Sequence, residues 1–392
     1  MYFSEGSLTK KFMNGEATFR VAHYMPGYPA GDGTTTFCRG LSRAMNRLEP
    51  GSCVIITRRA DAAERAEAED ELLVYRRASR NPFALPLHLE RDLRENRHGI
   101  DGVVLHGVYN PPNVGMSRLL CRLGIPYIFL PHDPYPPALQ NHHRFRKLVY
   151  WKLFEERMIK RAAAVQLLDE GHEGFLRNLG CQVPIFSHPN GCESETLNLL
   201  EGEPHVPGSR KIPQLHYLGR MDRNHKGLDL LIEAFSKVVG KHFAKLCLTG
   251  NDWFDREGLE KQAADLGISN QVEFRGRRPE PSIQLQADSD LCVLTSRFDG
   301  FGLTIVEAML AGRPVLVSRA AGVAGHVEKS KGGWVVEPTV AGIVRGMNEA
   351  FEARDQWPEM GERNREYVLN FLTWEQVAKA TLTSYRRFFA PK

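Results

Sequence analysis

The chain has 392 residues, 42% hydrophobic and 25% charged, with 51 Lys and Arg against 47 Asp and Glu for a net charge of +4. This length suits two domains with sizeable cores, and the composition excludes a disordered, collagen-like or disulfide-stapled chain. The near balance of charge excludes nucleic acid as the main partner.

Residues 1–18 hold Lys10 and Lys11 with no apolar core behind them, so they read as a flexible leader and not a secretory signal. Short apolar runs then alternate with amphipathic stretches. The runs 19–24, 53–57, 102–105, 126–130, 163–167 and 183–187 read as buried parallel strands, with helices over 35–48, 83–96 and 145–161 among them. From Gln214 the alternation restarts, with strands at 215–218, 244–248, 272–274, 291–294 and 315–317. Two such series predict two Rossmann-like doubly wound parallel-sheet domains, 19–190 and 214–372. Residues 191–213, with Gly202, Pro204, Pro207, Gly208 and Pro213, read as the linker. The stretch 373–389 reads as a helix with Thr373 as N-cap and Gln376 closing a capping box. That C-terminal segment, about 373–392, is expected to pack back on the first domain.

The cysteines at 38, 53, 121, 181, 192, 247 and 292 are scattered and form no CxxC pair. They read as reduced thiols of a cytosolic protein, with neither a zinc site nor a disulfide framework. No run approaches the ~20 apolar residues of a membrane helix, which leaves contact with a membrane surface open.

Ligands of open α/β sheets sit beyond the carboxyl ends of the strands, and the distinctive residues fall there. Gly31-Asp32-Gly33 follows the first strand, where glycines let a backbone approach an anion; a plain strand-to-helix turn would look similar. Gly219-Arg220 and Lys226-Gly227 place two cations after a strand and at the start of the next helix, a site for a diphosphate or else a charged surface loop. Further on, Asp299 stands in a glycine-containing turn, with Glu307 eight residues later on an apolar helix. The amides of Phe301, Gly302 and Leu303 are expected to be open to an anion, and the two carboxylates to suit sugar hydroxyls; an acidic helix start and a solvent-facing Glu are the plainer reading. His132 lies at a strand end in a Pro-rich turn, either a cleft residue or a structural hydrogen-bonder.

The block Asp299-Gly-Phe-Gly-Leu-Thr-Ile-Val-Glu307-Ala-Met resembles the E-x7-E motif of the family 4 glycosyltransferases, which have the GT-B fold. Gly219-Arg220 with Lys226-Gly227 resembles that family's diphosphate loop, Pro189-Asn190-Gly191 its interdomain segment, and 246–250 and 272–276 the strands flanking its base pocket. The similarity runs from about Phe19 to Phe389.

The resemblance implies two domains facing across a cleft and sugar transfer from a nucleoside-diphosphate donor with retention of anomeric configuration. Arg220 and Lys226 would bind the diphosphate and stabilise the leaving group, joined by the amides of Phe301, Gly302 and Leu303. Glu307 would hold the ribose hydroxyls. Asp299, where the family usually has Glu, would contact the donor sugar with a shorter side chain. His132 would stand near the donor sugar and the acceptor path, and Gly33 under the diphosphate. No enzymic nucleophile is evident, so front-face substitution is implied, with the departing phosphate taking the acceptor's proton. Neither a cofactor nor a metal is expected, and the acceptor is a carbohydrate, lipid-linked or other hydroxyl compound.

Two features read as decoys. Asp288-Ser289-Asp290 is a literal DxD but precedes a buried strand, and reads as the lead-in to that strand rather than a metal site. Residues 142–161 are basic and aromatic, which fits either a helix with one buried face or peripheral contact with the inner face of a membrane. Two rival functions stand beside the transferase: a catalytically weak nucleotide-sugar-binding partner subunit, and a dinucleotide oxidoreductase. The second would need a GxGxxG after a strand, which neither half has.

Overall fold

The computed structural model describes residues 19–27, 33–58, 72–75, 81–132, 144–200, 205–252 and 255–390. The expected leader, Gly31, Asp32, His142 and His143 lie outside them. The first sheet holds β1 (Val21–Met25), β2 (Cys53–Thr57), β3 (Leu72–Val74), β4 (Gly102–His106), β5 (Tyr127–Leu130), β6 (Ala164–Leu167) and β7 (Ile185–Ser187). Its strand order is β3-β2-β1-β4-β5-β6-β7. The second sheet holds β8 (Gln214–Leu218), β9 (Lys245–Thr249), β10 (Val272–Arg275), β11 (Leu291–Leu294), β12 (Val315–Ser318) and β13 (Gly333–Val336), in the order β10-β9-β8-β11-β12-β13. Neighbouring strands pair in parallel throughout both sheets.

The central strands are buried on both faces, which is why they read as unbroken apolar runs rather than alternating ones. Alternation survives in which layer each residue enters. Val21, Ile55, Val104 and Ile128 join one core; Ala22, Val54, Val103 and Phe129 join the other. The sequence misses the short edge strands β3 and β13. The expected 83–96 helix shortens to Leu87–Arg94, because Pro86 cannot sit inside a helix. The expected 145–161 helix is three pieces, Arg144–Tyr150, a π-helical turn Trp151–Glu155 and Glu156–Lys160. The stretch read as a linker carries a 3-10 segment, Ser194–Leu199.

The helix Trp374–Phe389 lies against the helix Gly33–Leu48 and, through Tyr385 and Phe389, against the first sheet. Thr373 caps it by accepting the Gln376 amide hydrogen at 3.4 Å. The Tyr385 hydroxyl donates to Gln166 Oε1 at 2.7 Å. Gly40 leaves the room that the Trp374 indole fills; any Cβ there would overlap it. Where the chain returns to the first sheet, the Cys192 amide donates to Leu372 O at 2.9 Å and the Trp374 amide to Cys192 O at 3.0 Å.

In each sheet the strand order reverses at one place, between β1 and β4 and between β8 and β11. Ligand crevices of doubly wound sheets open at such reversals. The polar residues described next cluster at these two points.

Candidate active site

Strand β8 ends at Gly219, whose amide donates to Thr249 O at 3.0 Å. The facing Gly250 has φ +150°, and a Cβ there would run into Gly219 O, while one at Gly219 would crowd the Tyr217 hydroxyl. Asp222 then caps a single helical turn, Arg223–Lys226, by accepting the His225 amide hydrogen at 2.9 Å. Gly227, at φ +64°, ends that turn, and a Cβ there would run into Thr295 O. Lys226 therefore closes a turn of its own instead of opening the next helix, as the sequence suggests. Arg220 is exposed beside it, its carbonyl accepting the Tyr217 hydroxyl at 2.7 Å.

A second loop, after β11, locks onto this turn. Arg297 forms a fork with Asp229 at 2.8 and 2.7 Å and donates to the carbonyls of Arg223 and Asn224 at 3.1 and 3.3 Å. Its amide donates to His225 O at 2.9 Å. Two residues later Asp299 Oδ2 accepts from the Lys226 ammonium at 2.5 Å and from the Ser296 hydroxyl at 3.3 Å. Burial pushes the Asp299 carboxyl up, but Lys226, with His225 and the Phe301 amide, outweighs it and holds the group below its ordinary range.

The Phe301 amide stands close enough to the Asp299 carboxylate to favour its ionised form. The amides of Gly302, Leu303 and Thr304 have no acceptor among the described residues. Gly302, at φ +101°, caps the helix Leu303–Leu310 without a side chain. Glu307 is half-buried on that helix and accepts a short hydrogen bond from Ser282. Burial raises its pKa, partly offset by Ser282.

His132, at φ +62°, follows β5. Its Nε2 lies 2.8 Å from His106 Nδ1, and its ring meets Phe37 edge-on at 5.2 Å. Burial pushes its pKa down to about 3. Among the described residues no hydrogen bond or ion pair joins His132 to the Lys226–Asp299 pair. Gly33 starts the helix Gly33–Leu48, with no atom within 4 Å of where its Cβ would stand.

Several neighbours of the site carry no signal in the sequence. His172 and Phe175, beyond β6, meet the Phe298 ring at 5.2 and 6.3 Å, so the two sheets' loops touch beside Asp299. His225 stacks on the same ring at 6.3 Å. Nothing local marks Ser282 as the partner of a Glu 25 residues away. Of the DxD, Asp290 accepts the amides of Gly208 and Gln214 at 2.8 Å each, and Asp288 pairs with Arg210 at 2.6 Å. Both carboxylates are thus engaged in holding the strand lead-in.

Family models described as "Glycosyl transferase 4-like domain" and "Glycosyl transferases group 1" match residues 32–191 and 212–352. The N-acetyl-alpha-D-glucosaminyl L-malate synthase of Bacillus anthracis is 27% identical over 251 residues, covering 64% of this chain and 63% of that protein. With the first three curated relatives the aligned stretches span 44%, 63% and 56% of the relatives' own lengths. Among solved structures, sucrose-phosphate synthase from Thermosynechococcus elongatus superposes with a TM-score of 0.73 at 19% identity, over 95% of this chain and 99% of that one. Anabaena HepE, solved with UDP and glucose, superposes with a TM-score of 0.71 at 19% identity, over 94% and 100%. The paired parallel sheets are the GT-B fold, and the chain belongs to the group 1 glycosyl transferases, with their family 4-like N-terminal domain.

Proposed function

We propose that the chain moves a hexosyl unit, with retention of anomeric configuration, from a UDP- or GDP-linked sugar to a hydroxyl of a glycan, glycolipid or other acceptor. The observation that carries this reading is the grouping of Lys226, Asp299 and the open amides of Gly302, Leu303 and Thr304 at the reversal point of the second sheet. A cation and a helix N-terminus together suit a diphosphate. HepE, of the same fold, was solved with UDP.

In this reading Lys226 and Arg220 take the diphosphate, and Glu307 accepts the ribose hydroxyls. Asp299, released from Lys226, accepts hydroxyls of the sugar, and His132 attends it from the first sheet. The acceptor oxygen bonds to the anomeric carbon on the face the diphosphate leaves. The carbon–oxygen bond to the β-phosphate breaks, and a phosphate oxygen takes the acceptor's proton. The protein contributes positioning and charge stabilisation. The residues named do this without a metal, which is part of the proposal.

A panel of nucleotide sugars tested by calorimetry and for slow hydrolysis checks it. The expected result is binding and hydrolysis of one donor, with the released sugar in the donor's anomeric configuration. Binding with no turnover under any acceptor would favour the partner-subunit reading, and no binding at all would overturn both.

A specific observation favours membrane contact as well. Phe145, Leu148 and Leu153 are 78%, 52% and 54% exposed, while Trp151 is buried. Arg146, Lys147 and Lys152 are interspersed among them, as on a helix resting on anionic lipid. Among the described residues no helix is long and apolar enough to cross a membrane. Flotation with anionic vesicles, lost in a Phe145→Ser, Leu148→Ser variant, tests this contact.

A further inference from the structure

Three imidazoles stand in line at the reversal point of the first sheet. His23 Nδ1 lies 2.8 Å from His106 Nε2, and His106 Nδ1 lies 2.8 Å from His132 Nε2. The register explains the alignment. His23 on β1 pairs with Val104 on β4, two residues before His106, so both side chains leave the same face. The helix Gly33–Leu48 covers that face, and its Cys38 Sγ lies 3.5 and 3.7 Å from the two His106 nitrogens. His132 reaches the line through a left-handed backbone conformation that a non-glycine residue adopts only when its surroundings impose it.

A nitrogen–nitrogen contact of this length is a hydrogen bond and requires one proton between the two atoms. A neutral His106 has one proton for two engaged nitrogens, so the chain has two arrangements. In the inward one, His132 Nε2–H donates to His106, His106 Nε2–H donates to His23, and His23 is left with its own proton on Nε2. In the outward one, His23 Nδ1–H donates to His106, His106 Nδ1–H donates to His132, and His132 keeps its own proton on Nδ1.

His23 Nε2 decides between them. It is buried and has no hydrogen-bond partner among the described residues. The inward arrangement strands an N–H there, and the outward one only a lone pair. Orphaned buried N–H groups are the rarer of the two. The rings are neutral because burial depresses His23 and His132 to about 3 and His106 well below its ordinary value. Among the described residues the titratable neighbours are Cys38 from the covering helix and Tyr385 from the C-terminal helix, whose ring lies 5.8 Å from that of His23.

We propose that His23 and His106 are positioning residues that fix His132 as its Nδ1–H tautomer, which makes His132 a hydrogen-bond donor to an oxygen of the donor sugar or diphosphate and not the base that takes the acceptor's proton. The receiving oxygen and the role toward the acceptor rest on the glycosyl-transfer reading; the tautomer does not.

The test begins with histidine-selective 15N labelling of the full chain. Nitrogen chemical shifts read each ring's tautomer at pH 7, with resonances assigned from single variants. The expected result is Nδ1–H at all three rings. Nε2–H at His132, a mixture of tautomers, or a copurifying zinc ion seated on His23, Cys38 and His106 would overturn the proposal. This readout needs no activity, so a chain that turns over no nucleotide sugar refutes the transferase reading alone.

The second arm compares pH profiles of kcat. His106→Phe frees His132 to populate both tautomers, which halves the donor form when the two are equal, a loss of about twofold at pH 8. Burial holds His132 near 3, and phenylalanine in place of His106 keeps it buried, so protonation does not reach the ring and the variant's deficit relative to wild type stays constant from pH 8 to about 5. A fall in its relative rate over that range would make His132 a base and overturn the assignment. His106→Asn, which keeps a side-chain N–H on the Nδ1 side, is expected to restore the wild-type profile; failure to do so would count against the relay.

Discussion

Lys226 and Asp299, 73 residues apart in sequence, form an ion pair of 2.5 Å whose side chains are only 14% and 12% exposed. In the proposed function both partners have other work, Lys226 on a diphosphate and Asp299 on sugar hydroxyls. Donor binding therefore exchanges one buried interaction for two.

Lys226→Ala is expected to lower kcat/KM by about 10–100-fold, as for loss of a charged hydrogen bond to phosphate. It also leaves Asp299 buried and unpaired, at a stability cost of about 3–5 kcal/mol. The double variant with Asp299→Ala recovers most of that stability and none of the activity. Denaturant titration beside donor kinetics separates the two effects.

Glu307→Gln is expected to raise the donor KM by about tenfold with the fold intact, since a neutral amide accepts ribose hydroxyl bonds less strongly than a carboxylate. Burial raises the Glu307 pKa. Donor affinity should thus begin to fall, on acidification, at a higher pH than an ordinary glutamate would give. Ser282→Ala removes the offsetting hydrogen bond and moves that onset higher still, measurable by calorimetry across pH.

Arg297→Ala releases a forked ion pair and two carbonyl bonds that hold the turn carrying Lys226. The expected cost is about 1–2 kcal/mol of stability, because the pair is part-exposed. Donor KM should rise more than kcat falls. Arg297→Lys is expected to rescue little, since an ammonium cannot replace the fork.

Stability should depend on pH through the buried histidines. His23 and His132 titrate near 3 in the folded protein, against about 6.5 when unfolded. On acidification the unfolded chain takes up these protons first. Their contribution is therefore complete above pH 6.5 and declines as pH falls from there toward 3, by about 1.4 kcal/mol per pH unit for each ring. Thermal melts from pH 7.5 to 4.5 should show this slope, and His23→Phe should flatten it.

Gly40→Val drives a side chain into the Trp374 indole and is expected to destabilise by about 1–3 kcal/mol. Limited proteolysis should then cut between the second sheet and the helix Trp374–Phe389 first.

Runs such as Cys53–Thr57 and Leu291–Leu294 are legible to the residue, because a strand buried on both faces needs an unbroken apolar segment. Leu72–Val74 and Gly333–Val336 escaped because edge strands are short and only half-buried. The π-helical turn at Trp151 has no local signal. In the site, Lys226, Asp299 and Glu307 stand in loops and helix starts that strand ends make recognisable. The histidine line was not readable. His23, His106 and His132 are brought together by strand register across 83 and 26 residues, and only His132 has a distinctive neighbourhood in sequence.

The backbone passes between the two sheets twice, and at Cys192 and Thr373 those passages are laced together as a parallel bridge. Two crossings fastened side by side act as a single hinge. One lobe can swing about that seam but can hardly slide past the other. The crevice would then open and close like a book on its spine, keeping the histidine line and the lysine–aspartate pair on opposite pages.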